Sequence, residues 1–414
     1  MAATVVDRRA LISLFSRLRT SGGQANPLPA YKQLMEMGEV FPAPWGGHLV
    51  TSYSLSSRIL RDKTWRVPDR EWRASRPDAA RWNTPASQQM AASLPMLNPP
   101  HHTGTRRSLG NVFSNGSLDA LRPMVEKVVT QLLDEFIEQV RQGPADFNEL
   151  VSEELPVITI GTWMGLPESD YGLLRSLTHD QAHTQELFPS ASQLALSDAA
   201  TAQLREYFAE LIRERRKRPG DDPVSSWIRT WDEREPDRAA ADEAVHSLAI
   251  FMILAALETT SYVLSSAVRL LLEHPDQMER LRSDPELIPS AVDETLRYDS
   301  PIHMISRIAP ADTELGGVVV QAGEMVQLMV GCAHHDAAQY PEPHVFDVGR
   351  KPTGHLAFGA GIHYCLGNAL ARLEAATLIT ELLKRPIRPY LSAPPQWASR
   401  VAFRRMTSLQ LAVS

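Results

Sequence analysis

One short stretch of the sequence, from Phe358 to Gly367, contains a cysteine with unusual surroundings. Cys365 lies among glycines and just before a helical pattern that runs from Asn368 to Leu383. Backbone amides at a helix start stabilise a thiolate, and glycines let a loop pass close to a flat cofactor. A cysteine among so many apolar groups stays a thiol unless a metal supplies positive charge. Taken alone, Cys365 is more often a small buried apolar side chain, although the stretch provides what a haem-iron ligand needs. Cys332, which lacks such surroundings, is predicted to be a packed thiol.

A second pair of reactive side chains, Glu258 and Thr259, lies in the longest helical pattern, Ala241 to Glu273. The pair follows an apolar run, Leu248 to Leu257, that we expect to be buried. Ionisable groups are costly in such surroundings. Taken alone, the pair indicates a buried carboxylate whose hydrogen bonds are satisfied and a threonine whose hydroxyl donates a hydrogen bond to its own helix. The run holds ten apolar residues before Glu258, which argues against a membrane span.

These two stretches resemble parts of the cytochrome P450 family. The pattern Phe-x-x-Gly-x-x-x-Cys-x-Gly resembles the family's cysteine-ligand loop, and Ala255 to Thr260 resembles its oxygen-activating segment. The resemblance implies that Thr259 holds a hydrogen-bonded network at the oxygen and that Glu258 relays protons. Ala256 stands where the family often has glycine. The resemblance implies that further haem contacts come from Phe358, Gly359, Gly367, Ala255 and Ala256.

A third motif, Glu294-Thr295-Leu296-Arg297, places an acid and an arginine three residues apart on one helix face. It resembles the family's structural Glu-x-x-Arg, which implies that the pair holds the loop preceding the cysteine. The family often adds a second arginine from a following segment, but Val345 stands at that place. We therefore expect His344 or His335 to complete the network.

The resemblance also implies cations for the haem propionates. The stretch Asn98 to Arg107 resembles a family motif in which a histidine and an arginine contact one propionate, which assigns His102 and Arg106. Arg307 and His363 match the positions that contact the other. Charge-assisted hydrogen bonds to carboxylates are short and directional, which suits arginine.

The function implied by the resemblance is that of a haem-thiolate monooxygenase of the soluble bacterial type. Its cofactor is haem b, its co-substrate is O2, and one oxygen atom enters an apolar or aromatic small molecule by hydroxylation or epoxidation. The sequence has no flavin or nicotinamide fingerprint, so we expect electrons from NAD(P)H through an external ferredoxin reductase and ferredoxin. We expect the acidic ferredoxin to dock on a basic patch of Arg106, Arg107 and Arg372.

The substrate pocket is assigned by the same resemblance to mostly apolar side chains. Tailoring of a secondary metabolite such as a polyketide, peptide or terpenoid is the preferred interpretation, while terpene or fatty-acid catabolism stays open. A peroxide-using haem-thiolate enzyme ranks lower because Glu258 and Thr259 are present. A non-catalytic recruitment module ranks lower because Cys365 is intact. The assigned pocket residues are Trp82, Met90, Met96, Phe188, Leu248, Met252, Met304, Ile305, Val401 and Phe403.

Composition excludes other classes of protein. The 414 residues carry a net charge of −7, which argues against nucleic acid as a partner. Two cysteines cannot make a disulfide framework, and no signal peptide opens the chain, so we expect a cytoplasmic protein without a membrane anchor. The resemblance favours a single domain over residues 1–414, without a fused reductase, and we expect a monomer.

The elements that must position these residues are mainly helical. Helical spacing appears at Leu118–Arg141, Glu149–Met164, Asp198–Lys217, Ala241–Glu273, Pro289–Tyr298 and Asn368–Lys384. Strand-like runs are His48–Ser52, Val318–Val320, Met325–Val330 and Ser408–Val413. The sequence therefore predicts a mainly α protein with small β-sheets. The resemblance implies the cytochrome P450 fold, with haem between the long central helix and the cysteine loop.

Overall fold

A computed structural model describes residues 7–76, 82–110 and 115–414. Helices account for about 60% of the structure, which confirms the mainly α prediction. The α-helices within these ranges are α1 (Arg8–Leu18), α2 (Ser21–Ala25), α3 (Leu28–Met37), α4 (Tyr53–Arg61), α5 (Arg70–Ala74), α6 (Pro85–Ala91), α7 (His101–Ser108), α8 (Asn115–Val140), α9 (Glu154–Trp163), α10 (Tyr171–Gln181), α11 (Ala191–Lys217), α12 (Pro223–Arg234), α13 (Arg238–Glu273), α14 (Pro275–Ser283), α15 (Ile288–Tyr298), α16 (Val330–Ala333) and α17 (Asn368–Lys384).

The strands in the described ranges are short and form small sheets. They are β1 (Val40–Pro42), β2 (His48–Val50), β3 (Ala145–Asp146), β4 (Met304–Ile308), β5 (Thr313–Leu315), β6 (Val318–Val320), β7 (Met325–Met329), β8 (Pro389–Leu391), β9 (Gln396–Trp397), β10 (Met406–Ser408) and β11 (Gln410–Val413). One sheet has the order β1-β2-β7-β4, with β2 and β7 parallel and the other pairs antiparallel. A second sheet has the order β3-β11-β8, and two further sheets are the antiparallel pairs β5-β6 and β9-β10.

The chain divides into two compact units. Unit 1 comprises Met1–Arg66, Val129–Ser152 and Thr259–Ser414, and unit 2 comprises Val67–Val128 and Glu153–Glu258. The boundary falls inside helix α13, between Glu258 and Thr259. The single domain expected over residues 1–414 stays a prediction.

Unit 1 is built on the four-stranded sheet and the helices that carry two of the sequence motifs. Apolar side chains of β2, β7 and α16, such as Val50, Leu328 and Val330, are fully buried in its core. Helix α15, which contains the Glu-x-x-Arg motif, packs against α17, which follows the cysteine. The core therefore fixes both motifs on a rigid base.

Unit 2 is helical, and its helices α10 and α11 pack closely against each other. Helix α11 begins seven residues before the predicted Asp198 because Ser190 starts it with a capping box: the Ser190 hydroxyl accepts from the Gln193 backbone N–H, and the Gln193 side chain accepts from the Ser190 N–H. Leu204 and Phe208 on the same helix are fully buried. A cap thus sets a boundary that periodicity alone placed too late.

Helix α13, with 36 residues, is the helix among the described residues that is long and apolar enough to cross a membrane. Of its most apolar window, 78% is buried inside the structure, which is the pattern of a core helix. The helix ends at Glu273, just before Pro275, as the sequence predicts.

Candidate active site

Cys365 is held by hydrogen bonds within its own loop. Its backbone N–H donates to the carbonyl of Phe358 at 2.9 Å, and the side-chain amide of Asn368 donates to the Cys365 carbonyl at 2.7 Å. The cysteine is half-buried, and helix α17 begins three residues after it. The loop therefore leads the thiol directly into a helix N-terminus, which favours the thiolate form.

Two glycines give the cysteine loop its shape. Gly359 and Gly361 have φ angles of 66° and 68°, a region that other residues rarely adopt. A Cβ at Gly361 would also lie 2.3 Å from the carbonyl oxygen of Leu60. Gly367 differs, because its φ is −80° and no protein atom lies within 4 Å of the place where a Cβ would be. The fold itself does not require glycine at 367, and the open space there suits a group that the protein binds.

Phe358 is surrounded by ionic and aromatic groups. The Arg372 guanidinium lies 4.5 Å from the centroid of the Phe358 ring, and the His355 ring centroid lies 5.5 Å from it. Asp293 accepts a hydrogen bond from Arg372 Nε at 2.8 Å and lies 3.4 Å from His355 Nε2. The charge of Arg372 is thus balanced by Asp293, which weakens its expected contribution to a basic docking patch.

Glu294 and Arg297 form a buried ion pair, with side-chain exposures of 2% and 3%. Arg297 donates from Nε and Nη2 to the two Glu294 oxygens at 2.7 and 2.8 Å. Its Nη1 donates to the carbonyls of His334 and Pro343, both at 2.8 Å. The pair therefore ties helix α15 to the chain that leads towards the cysteine.

Arg350 completes this network, and the sequence analysis missed it. Its Nε lies 3.1 Å from both Glu294 oxygens, and its Nη2 donates to the Val345 carbonyl at 2.9 Å. The expectation that His344 or His335 fills this role is wrong. His335 faces the carbonyls of Pro343 and Tyr298 at 3.0 and 3.1 Å, and the His344 ring stacks on it. The missed signal was an arginine five residues beyond Val345, in a loop with no fixed spacing.

His334 anchors the start of the cysteine loop. Its Nε2 accepts a hydrogen bond from the backbone N–H of Leu356 at 2.7 Å. This bond requires an unprotonated Nε2. Burial, with the neighbouring His355 and Arg297, holds the pKa of His334 well below its usual value. The neutral imidazole is therefore the form that holds the loop.

The residues assigned to the haem propionates lie on both units. Arg307, on β4 of unit 1, is 5% exposed, and burial lowers its pKa to about 10. Its guanidinium donates to the Ser306 carbonyl at 2.8 Å, and no carboxylate among the described residues pairs with it. Since buried cations are normally paired, this arginine fits an anionic group such as a propionate. His363 is half-buried in the cysteine loop, and His102 (2% exposed) and the half-buried Arg106 lie one turn apart on α7.

Glu258, the predicted proton relay, is 6% exposed on α13, and Thr259 follows it on the same helix. Glu258 Oε1 lies 3.1 Å from Nδ1 of His179, on α10. His179 Nε2 lies 3.5 Å from Oε2 of Glu153, just before α9. Sequence reasoning missed His179 and Glu153, because no motif marks either residue.

Comparison with known proteins decides the family. The family model described as "Cytochrome P450" matches residues 66–385. The chain belongs to the cytochrome P450 family. Membership implies haem iron, O2 and electrons delivered by redox partners, and it makes the chain a monooxygenase of the oxidoreductase class.

Individual P450s agree with this assignment over nearly the whole chain. The cytochrome P450 monooxygenase PikC of Streptomyces venezuelae is 32% identical over 87% of this chain and 84% of its own length. The 6-deoxyerythronolide B hydroxylase of Saccharopolyspora erythraea is 31% identical over 86% of this chain and 87% of its own. The crystal structure of P450BioI in complex with an acyl carrier protein ligated to hexadec-9Z-enoic acid has a TM-score of 0.87 and 29% identity, and it covers 95% of this chain and 100% of that one.

The residues assigned to the P450 substrate pocket are spread over both units. Met90, Leu248, Met252, Met304 and Val401 are buried, while Phe188 is 37% exposed. Trp82 lies under the Arg73 guanidinium, and Met96 Sδ lies 3.3 Å from Arg73 Nη2. Ile305 lies on β4, and Phe403 pairs with Ile302 in an isolated β-bridge. Their role in substrate binding stays a prediction.

Proposed function

We propose that this P450 is a haem b monooxygenase that hydroxylates or epoxidises an apolar or aromatic small molecule, in the tailoring of a secondary metabolite such as a polyketide, peptide or terpenoid. The observation that carries the proposal is the cysteine loop. Cys365 is half-buried at a helix N-terminus, and its loop leaves open space at Gly367. Bound haem supplies the oxygen chemistry, for which a thiolate ligand favours O–O cleavage.

Each side of the cofactor would be held by residues of matching chemistry. Cys365 would bind the iron, and Phe358, Gly359 and Gly367 would contact the macrocycle. Arg307 and His363, together with His102 and Arg106, would bind the propionates. The buried guanidinium of Arg307, without a carboxylate partner among the described residues, supports this assignment. Ala255 and Ala256 on α13 would also contact the macrocycle.

Glu258 and Thr259 would supply the protons that oxygen reduction needs. The Thr259 hydroxyl can donate and accept at once, and Glu258 can hold a proton in a largely buried place. Together they would move protons from the protein to the oxygen while excluding bulk water. This pairing favours O2-dependent turnover over a purely peroxide-using enzyme.

Electrons would come from NAD(P)H through a ferredoxin reductase and a ferredoxin. Arg107 is exposed on α7 and would contribute to the docking surface, whereas Arg372 is held by Asp293. We further propose a cytoplasmic monomer without a nucleic-acid or membrane partner. The net charge of −7 supports the first of these absences.

The substrate class is supported by relatives and by the character of the assigned pocket. The relative PksS of Bacillus subtilis is named as a polyketide biosynthesis cytochrome P450, and P450BioI was solved with an acyl carrier protein ligated to hexadec-9Z-enoic acid. Met252 and Met304 are adaptable apolar side chains, which suits a large lipophilic substrate. Polyketides and fatty acyl compounds, both free and carrier-bound, are the first compounds to screen by the change in haem spin state.

The absorption spectrum of the reduced protein with carbon monoxide tests the proposal. We expect a strongly red-shifted Soret band that is absent in Cys365→Ser, because only a thiolate ligand produces it. A protein that binds no haem would support a recruitment module instead. Turnover with hydrogen peroxide that exceeds turnover with ferredoxin and reductase would support a peroxide-using enzyme.

A further inference from the structure

Three titratable side chains of unit 2 stand in a row that ends at Glu258. Glu153 Oε2 lies 3.5 Å from His179 Nε2, and His179 Nδ1 lies 3.1 Å from Glu258 Oε1. Their side-chain exposures are 12%, 15% and 8% in that order. The imidazole ring thus has a hydrogen-bonded carboxylate at Nδ1 and a second carboxylate at ion-pair distance from Nε2, and the least exposed of the three groups is the proposed proton donor.

The row contrasts with how this chain holds two other buried acids. Glu294 and Asp299 are also less than 10% exposed in the described ion pairs, and arginine holds both of them. Arginine stays charged at any working pH and cannot pass a proton on. Glu258 is instead bonded to histidine, which exchanges protons readily near neutrality. The difference in residue type matches a difference in task.

Proton movement along the row keeps the total charge constant. With one carboxylate at each end and an imidazolium between them, the net charge is −1. The same net charge holds if the mobile proton lies on Glu153 or on Glu258 and the ring is neutral. The buried end therefore never carries an additional charge, which would be costly in these surroundings.

We infer that His179 relays protons from Glu153 to Glu258, an inference that rests on the proposed function of Glu258. The carboxyl proton of Glu153 moves to Nε2 of the ring, and the proton on Nδ1 moves to Oε1 of Glu258. The ring, whose side chain is 15% exposed, returns to its first tautomer by exchange with water, which removes the proton from Nε2 and supplies one to Nδ1, and water also reprotonates Glu153. No electrons move, and His179 acts through Glu258, which makes it a positioning residue for oxygen reduction.

The test compares four variants of the haem-loaded enzyme: Glu258→Gln, His179→Asn, Glu153→Gln and Glu154→Gln. Asparagine keeps an amide near the position of Nδ1 but cannot pass a proton on. Glu154 is the matched control, because it neighbours Glu153 but pairs with Arg175. The band of the reduced carbon monoxide complex checks that each variant holds haem.

The activity readout is the reduction of O2 with NADPH and a surrogate ferredoxin and reductase, in H2O and D2O. We expect the first three variants to share a higher peroxide yield and a rate at least about tenfold lower, since general acid catalysis contributes about 10²–10⁴-fold. Glu154→Gln should behave as the parent. If His179→Asn behaves as the parent, His179 only orients Glu258. If Glu153→Gln leaves O2 reduction unchanged, protons do not enter the row at Glu153. Either result overturns the inference.

A second readout needs no turnover. Nitrogen NMR of the histidine-labelled, reduced carbon monoxide complex reports the protonation of His179, and the His179→Asn spectrum assigns its signals. We expect Glu153→Gln to change the proton occupancy at Nε2, and an unchanged signal counts against the relay. If Glu258→Gln itself leaves O2 reduction unchanged, the proposed role of Glu258 fails; if only His179→Asn is silent, the relay alone fails.

Discussion

Glu294 in unit 1 and Glu258 in unit 2 are both buried carboxylates, yet they have opposite kinds of partner. Glu294 is bonded to two guanidinium groups and to the backbone N–H of Asp347 at 3.0 Å. Glu258 faces an imidazole. Guanidinium groups make permanent, directional bonds, whereas imidazole exchanges its proton. The comparison teaches that the chain holds the segment before its cysteine loop with a carboxylate bonded to guanidinium groups, whereas it gives its proposed proton donor an imidazole partner.

The largest effect is expected on protein stability, where substitutions of these two acids should differ. Glu294→Gln leaves the buried guanidinium of Arg297 and the partly buried one of Arg350 short of their counter-charge, so we expect it to lower the free energy of unfolding by about 3–5 kcal/mol. Glu258→Gln keeps a group that can accept from His179, so we expect a change of about 1 kcal/mol or less. Urea unfolding followed by circular dichroism measures both.

Equal losses of unfolding free energy in the two variants would contradict the contrast between Glu294 and Glu258, because burial alone, and not the kind of partner, would then determine the loss. Haem content should follow the same order. Glu294→Gln is expected to load poorly, since the loop before Cys365 depends on Arg297 and Arg350.

An effect of intermediate size is expected on protein stability at acidic pH. Burial lowers the pKa of His303 and His335 to about 3, and that of His334 lies well below its ordinary value. An unfolded chain takes up protons on these side chains below pH of about 6.5, but the folded chain does not, so stability must fall as the pH falls. We expect a loss of up to about 1.4 kcal/mol per pH unit for each of the three histidines between roughly pH 6.5 and 4.5.

Urea unfolding at several pH values within that window measures this slope, above the range in which most carboxyl groups titrate. His303→Gln keeps a hydrogen-bonding partner for Tyr31, 2.8 Å away, and should reduce the slope by one histidine's share. If the free energy of unfolding does not change with pH, the region around Glu294 contains no buried group whose protonation destabilises the fold. The expected slope would show that the loss of stability in acid comes from the neutral histidines rather than from the ion pairs.

The smallest effect is expected at an exposed ion pair in the same segment. Asp347 pairs with Arg280 at 2.8 Å, with side chains 37% and 46% exposed. Such pairs contribute about 0.2–1 kcal/mol, so Arg280→Ala should lower stability by no more than that at low salt and by less at high salt. Because the Asp347 backbone also bonds Glu294, this pair is a local control for the buried network. A loss as large as that of Glu294→Gln would contradict the role given to burial.

Sequence motifs predicted the parts of the site that have fixed spacing. Glu294 and Arg297 lie on one helix turn, and Phe358, Cys365 and the start of α17 are fixed by the loop. Arg350 reaches Glu294 across 56 residues, through a loop whose path no periodicity encodes. His179 reaches Glu258 across 79 residues, between helices whose packing the sequence does not reveal.

The fold shows the same division between local and distant signals. The predicted helix Asn368–Lys384 and the strand Val318–Val320 match the structure, because a helical period and a β-branched run are local. The predicted helix Glu149–Met164 is interrupted instead: a π-helical turn covers Asn148–Ser152, and α9 begins at Glu154. Short helices such as α2 and α5 escaped prediction because five residues are too few to show a period.

The division of the chain sets the order in which its two units are completed during synthesis. Unit 2 ends at Glu258, whereas unit 1 needs β11, where Leu411 pairs with Ala145 of β3. A chain that leaves the ribosome N-terminus first therefore exposes all of unit 2 before Cys365 has been made. Cys365, the proposed thiolate ligand, is among the last parts of the site to appear, so we expect stable uptake of haem to wait for a nearly finished chain.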